Sequence, residues 1–158
     1  MPNWCENEVK LYGDVETIKT LKAQLESDET VFDFNKVLPI PEALKTVCVG
    51  AVTVERAGEP RRVDTWREVD GDVIALDKTE LIAQYGAVSA RDWCINNWGT
   101  KWNTSEVAVE EGEDYLHYYF DTAWCPPTGI CTALRKQFPD LHISWFYRED
   151  GEQLAGYL

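Results

Sequence analysis

The chain has 158 residues, 44% of them hydrophobic and 27% charged, which is the composition of a globular protein with a sizeable core and excludes a disordered tail. Its formal charge of −13 argues against generic affinity for DNA, RNA or anionic membrane, because such binding is driven by Lys and Arg at phosphates. No apolar run is long enough to span a membrane, and Met1-Pro2-Asn3-Trp4-Cys5 lacks the basic and apolar regions of a signal peptide, so a cytoplasmic location is expected.

Glu6 to Tyr12 alternates, with Val9 and Leu11 on one side and Glu8, Lys10 and Tyr12 on the other, which predicts a half-buried strand. Gly13 ends it. Asp14 then caps a predicted helix through Leu25, with Ile18, Leu21 and Leu25 on its apolar side. Farther along, Glu55 to Arg67 places four arginines around Gly58-Glu59-Pro60, a hairpin or a mobile loop. Asp77-Lys78-Thr79-Glu80 and Ser89-Ala90-Arg91-Asp92 read as helix starts, with Gly86 and Gly99 as the stops. Glu106 to Glu110 and Tyr115 to Thr122 alternate about a short acidic turn and predict a second hairpin. Pro126 and Pro127 open a further helix that Pro139 stops, and His142 to Tyr147 alternates once more. Gln153 to Leu158 is either a terminal strand or a tail.

In order, the outer segments give strand, helix, strand, strand, helix, strand. The fold class is α+β: a ferredoxin-like split βαβ sandwich of an antiparallel sheet and two helices. Residues 28–103 are then a large, partly helical insertion after the first helix, within one domain spanning 1–158.

Five cysteines, Cys5, Cys48, Cys94, Cys125 and Cys131, are odd in number and contain no Cys-x-x-Cys pair, which points to reduced thiols. Three of them follow a tryptophan: Trp4-Cys5, Trp93-Cys94 and Trp124-Cys125. Their spacing is not that of a zinc site, and free cysteine packs as a small apolar residue, so three core corners are expected rather than metal ligands. No cysteine has a motif marking it as a nucleophile, and no phosphate loop or dinucleotide fingerprint is present. Catalytic residues, metal and cofactor are all expected to be absent.

Trp93, Trp98 and Trp102 fall within ten positions, in Ala90-Arg91-Asp92-Trp93-Cys94-Ile95-Asn96-Asn97-Trp98-Gly99-Thr100-Lys101-Trp102-Asn103. On a helix from Ala90 to Trp98, Trp93, Cys94 and Trp98 share one side and are expected to pack together. The functional alternative is an aromatic pocket of Trp93, Trp98, Trp102 and Trp124 with Arg91, Asn96, Asn97, Lys101 and Asn103 as polar handles, suited to a nucleotide-like ligand. The sheet's second face offers another surface, with Lys10, Tyr12, His117, Tyr119 and Asp121 in reach of one another.

Four stretches carry a resemblance: MPNWCENEV at the start, FDFNKVLPIPEAL from Phe32 to Leu44, WCINNWGTKWN from Trp93 to Asn103, and FDTAWCPP from Phe120 to Pro127. Together they resemble the YubB ferredoxin-like family of bacteriophages, plasmids and related mobile elements. The resemblance covers nearly the whole chain and implies a ferredoxin-like domain, but it brings no defined catalytic residues. With the acidic charge, it leads to the expectation of a non-enzymatic binding protein in the bacterial host cytosol. Such a protein would modulate a host process, such as a defence system, by occupying a basic surface on a host protein. Sequestration of a nucleotide-like signal is the alternative, and an uncharacterised enzyme is a further one.

Overall fold

The computed structural model describes residues 3–158, as eight strands and six helices. In chain order these are β1 (Trp4–Tyr12), α1 (Val15–Leu25), α2 (Phe34–Val37), α3 (Glu42–Lys45), β2 (Cys48–Arg56), β3 (Glu59–Val69) and β4 (Asp72–Ala75). There follow α4 (Lys78–Tyr85), α5 (Ala90–Asn97), β5 (Ser105–Glu111), β6 (Tyr115–Ala123), α6 (Thr128–Gln137), β7 (His142–Glu149) and β8 (Leu154–Tyr157). They form two compact units, one of Met1–Pro39 with Asn97–Leu158 and one of Ile40–Asn96.

In the first unit, local sequence sets where the elements begin. Asp14 accepts the Thr17 amide at 3.0 Å and starts α1. The Pro126-Pro127 pair precedes α6, whose Ile130, Cys131 and Leu134 are buried. The sheet order is β5-β6-β1-β7-β8, with every neighbouring pair antiparallel. Counting β1, β5, β6 and β7 as four successive strands, the order is fourth, first, third, second, the arrangement of a ferredoxin-like sandwich. β8 extends it at the β7 edge.

The alternation predicted for β1 holds in the burial of Cys5, Asn7, Val9 and Leu11. Facing the same core are Leu116, Tyr118 and Phe120 of β6 and Trp145 of β7. Phe32 sits at the centre, 4.9 Å from the Tyr118 ring and 5.2 Å from Phe120, while Phe34 packs edge-on to Trp98 at 5.5 Å. The segment expected as an insertion, 28–103, lies between α1 and β5 and is shared between the two units. Residues 28–39 and 97–103 group with the first unit, because the aromatic side chains of Phe32, Phe34 and Trp98 fill its core.

The second unit contains the three-stranded antiparallel sheet β2-β3-β4 and the helices α3 and α4. The expected alternatives at 55–67 resolve as a hairpin, whose two-residue turn has positive φ at both Ala57 and Gly58, as a type I′ turn requires. β4 was not anticipated. Its turn is Asp70-Gly71, again with both φ values positive, so the missed signal was the Asp-Gly pair directly after Val69. Asp77 caps α4, and Gly86 ends it in the left-handed conformation at φ +70°.

Candidate functional site

The face of the first unit's sheet opposite the core is built from the other half of each alternation. Strand register lines its residues up in rows. Asp121, Glu6 and Arg148 form one row; Tyr119, Glu8, Phe146 and Tyr157 form the next. Beyond them come His117, Lys10 and Ser144, and then Tyr115, Tyr12 and His142. At this last end His117 Nε2 lies 2.8 Å from the Tyr12 hydroxyl. The anticipated set of Lys10, Tyr12, His117, Tyr119 and Asp121 therefore does share one face, and none of the five is buried.

A groove of about 350 Å³ opens in this face, lined chiefly by Glu6, Glu8, Glu106, Tyr119, Asp121, Phe146 and Arg148. Glu106 reaches it through an irregularity in β5. The register slips between Ser105 and Ala108, and Glu106 takes φ +50°, a left-handed conformation uncommon for a residue with a side chain.

The groove is acidic. Arg148 binds Glu6 at 2.7 Å and Asp150 at 3.2 Å, and Lys10 binds Glu8 at 2.6 Å. Among the described residues no Lys or Arg pairs with Glu106 or Asp121. Partial burial, and then the neighbouring carboxylates of Glu6 and Glu106, push the Asp121 carboxyl above its ordinary value. The acidity belongs mainly to this unit. Residues 40–96 hold seven Lys and Arg against ten Asp and Glu, a formal −3, which leaves −10 of the −13 for the rest of the chain.

At the Trp4 end of β1 the surface turns aromatic. Trp4, Trp102 and Trp124 are 40%, 47% and 46% exposed, and the Trp4 and Trp102 rings lie 6.4 Å apart at 49°. Lys101 Nζ sits 4.0 Å from the Trp102 ring centre and 5.9 Å from that of Trp124, within reach of cation–π attraction to both. Trp124 adopts φ +71°, a conformation costing on the order of 1–3 kcal/mol for a bulky residue, while its amide donates to the Asn3 carbonyl at 2.9 Å.

The nine residues expected to line a tryptophan pocket do not all meet there. Lys101, Trp102 and Trp124 come together at the surface. Trp98, 1% exposed, donates its indole N–H to the Leu38 carbonyl at 2.8 Å and belongs to the core. Asn103 accepts from the Phe34 amide at 3.0 Å and donates to Asp33 at 2.8 Å, pinning the start of α2. Asn97 is half-buried, with its carbonyl facing Gly129 of α6. In the second unit, Trp93 is buried, Arg91 is exposed, and Asn96 donates to the Gly86 carbonyl at 3.3 Å. α5 ends at Asn97, one residue before Trp98, and Trp93, Cys94 and Trp98 are each buried, with Trp98 edge-on to Phe34. Sequence reasoning overlooked Trp4, Glu6, Glu106, Phe146 and Arg148. The β1 alternation could have supplied the first two, whereas the other three depend on a bulge and on strand pairing.

The three Trp-Cys corners differ from one another. Cys5 and Cys94 are buried, and burial pushes both thiols up to about 11, whereas Cys125 is exposed. Burial also raises the Cys131 thiol. Among the described residues, no three or more His, Cys, Asp or Glu side chains gather as metal ligands. No helix among them is long and apolar enough to cross a membrane.

Residues 97–158 match a family model described as the ferredoxin-like domain in Api92-like protein. The match takes in β5, β6, α6, β7 and β8. The central strand β1, with α1, comes from outside it, so the five-stranded sheet needs the first residues of the chain as well as the last. No curated protein and no solved structure matches the chain.

Proposed function

We propose that the protein is a non-enzymatic, acidic binding protein of the YubB ferredoxin-like family, carried by a phage or other mobile element. It acts in the bacterial cytosol and modulates a host process, such as a defence system, by covering a basic surface on a host protein. The observation that carries this reading is the groove on the open sheet face. Glu106 and Asp121 lie there beside Tyr119 and Phe146 without a cationic partner among the described residues. A partner's Arg or Lys would supply the missing positive charge, and the aromatic rings would cover its aliphatic stem. Concentrating −10 in one unit also steers a basic partner toward this face and repels nucleic acid.

A nucleotide-like ligand at Lys101, Trp102 and Trp124 is the second reading. It has one cation for a phosphate, on a strongly acidic unit.

The test is capture from bacterial lysate on immobilised protein, compared with a Glu106→Gln/Asp121→Asn variant. A specific basic protein retained by the parent, and released at lower salt from the variant, supports the proposal. Equal retention by both, or no protein retained at low salt, overturns it.

A further inference from the structure

We propose that Trp102 and Trp124, with Trp4 beside them, form a receptor for an Arg or Lys side chain of a basic protein partner, and that Lys101 occupies it in the isolated chain. The proposal rests on the reading of the acidic face above and names the group recognised at one end of it.

Exposed tryptophans are costly in water, and three of them meet here while Trp98 and Trp145 are spent on the core. The cluster already holds a cation. Lys101 Nζ lies 4.0 Å and 5.9 Å from two indole centres, both within the distance at which a ring's negative face attracts positive charge. Trp4 and Trp102 are tilted at 49° rather than stacked, so the pair is not closed into a flat sandwich.

The surroundings select the sign of the ligand. Trp4 stands two residues from Glu6 on the same face of β1, one row from the groove. A phosphate would bring negative charge into that field, whereas a guanidinium or ammonium would be drawn to it. Lys101 is tethered and half-exposed, an occupant that a better-placed cation can displace. A basic segment lying along β1 would set one cationic side chain in the groove and another among the tryptophans.

Tetramethylammonium reads the receptor by itself, through the indole N–H resonances of the protein, and oligo-arginine reads it together with the groove. All the substituted side chains are surface groups, and retention of the remaining indole resonances checks the fold. Tetramethylammonium should move two indole signals that are absent in Trp102→Leu and Trp124→Leu. Lys101→Ala should tighten its binding about two- to fivefold, and that gain should vanish in the Lys101→Ala/Trp102→Leu double variant. Trp102→Leu should weaken oligo-arginine by a similar factor. An unmoved indole spectrum in Lys101→Ala overturns the proposal, as does a response to adenosine monophosphate in place of tetramethylammonium. A gain from Lys101→Ala that persists without Trp102 does so too, since it reports net charge alone. If tetramethylammonium binds while oligo-arginine ignores Glu106→Gln/Asp121→Asn, the acidic-groove reading falls and the aromatic receptor stands.

Discussion

Gly129→Ala probes the contact that seats the tryptophan-rich segment on α6. The Gly129 amide donates to the Trp98 carbonyl at 3.0 Å, so the two backbones touch directly. A methyl group at Gly129 would sit 1.7 Å from the Asn97 carbonyl oxygen and 2.8 Å from its carbon. A carbon normally approaches such an oxygen to about 3.3 Å, so one backbone must retreat by about 1.6 Å. Overpacking costs about 1–3 kcal/mol, and the upper end applies because the obstacle is main chain rather than a side chain able to turn away. Losing the amide bond adds about 1 kcal/mol, against which Ala returns up to about 1 kcal/mol of helix propensity. The net expectation is a loss of about 3 kcal/mol. Urea unfolding followed by tryptophan fluorescence should show a lower midpoint with an unchanged slope. At this chain length the same loss lowers the melting temperature by about 6–12 °C. A loss under about 1 kcal/mol, or a gain, would refute the close approach and show that helix propensity dominates. Gly58→Ala is the control. Nothing lies within 4 Å of its added methyl, so its cost of about 1–2 kcal/mol comes only from φ +81°.

Three further outcomes follow from burial and charge. Native protein at pH 8 should react with a maleimide at two thiols, Cys48 and Cys125, and at all five once unfolded, because burial holds Cys5, Cys94 and Cys131 as protonated thiols; rapid labelling of a third in the native state would contradict this. Trp145→Phe removes the indole N–H that donates to Asn7 Oδ1 at 3.1 Å and leaves that buried oxygen without its donor, for a loss of about 2–4 kcal/mol in chemical denaturation; a cost below about 1 kcal/mol would mean the amide finds another partner. Asp121 has its carboxyl pKa raised on folding, so its stabilising contribution is complete below the ordinary value of 3.8 and is lost as pH rises through the higher folded value. Asp121→Asn should therefore be the more stable form at pH 7, with the advantage shrinking toward pH 4; denaturation curves giving a pH-independent difference would rule out the carboxylate crowding.

The fold was legible to the extent that its signals were local. Alternation about Val9 and Leu11, the Asp14 cap, the acidic turn before Tyr115 and the proline pair before α6 each act over a few residues, and each stands where expected. The Asp70-Gly71 turn was equally local and was passed over, which cost β4. The division into two units has no such local mark. Phe32 and Phe34 carry no periodicity that distinguishes a loop from a core plug, and only their contacts with Tyr118, Phe120 and Trp98 assign them to the first unit.

The candidate surface divides along the same line. Composition alone established the acidity, and the β1 alternation established which side chains stand opposite the core, since both are properties of single residues or of neighbours two apart. Tertiary structure decided which tryptophans are spent on packing and which reach solvent. Trp98 and Trp102 lie in one short motif, yet one is sealed against Phe34 while the other meets Trp4, nearly a hundred residues away in the chain. It also decided that Glu106, through a slipped register, joins Glu6, Asp121 and Arg148 at one groove. Strand pairing brings distant residues together, and a one-residue slip redirects every side chain beyond it, so a periodic pattern names a face without naming its neighbours.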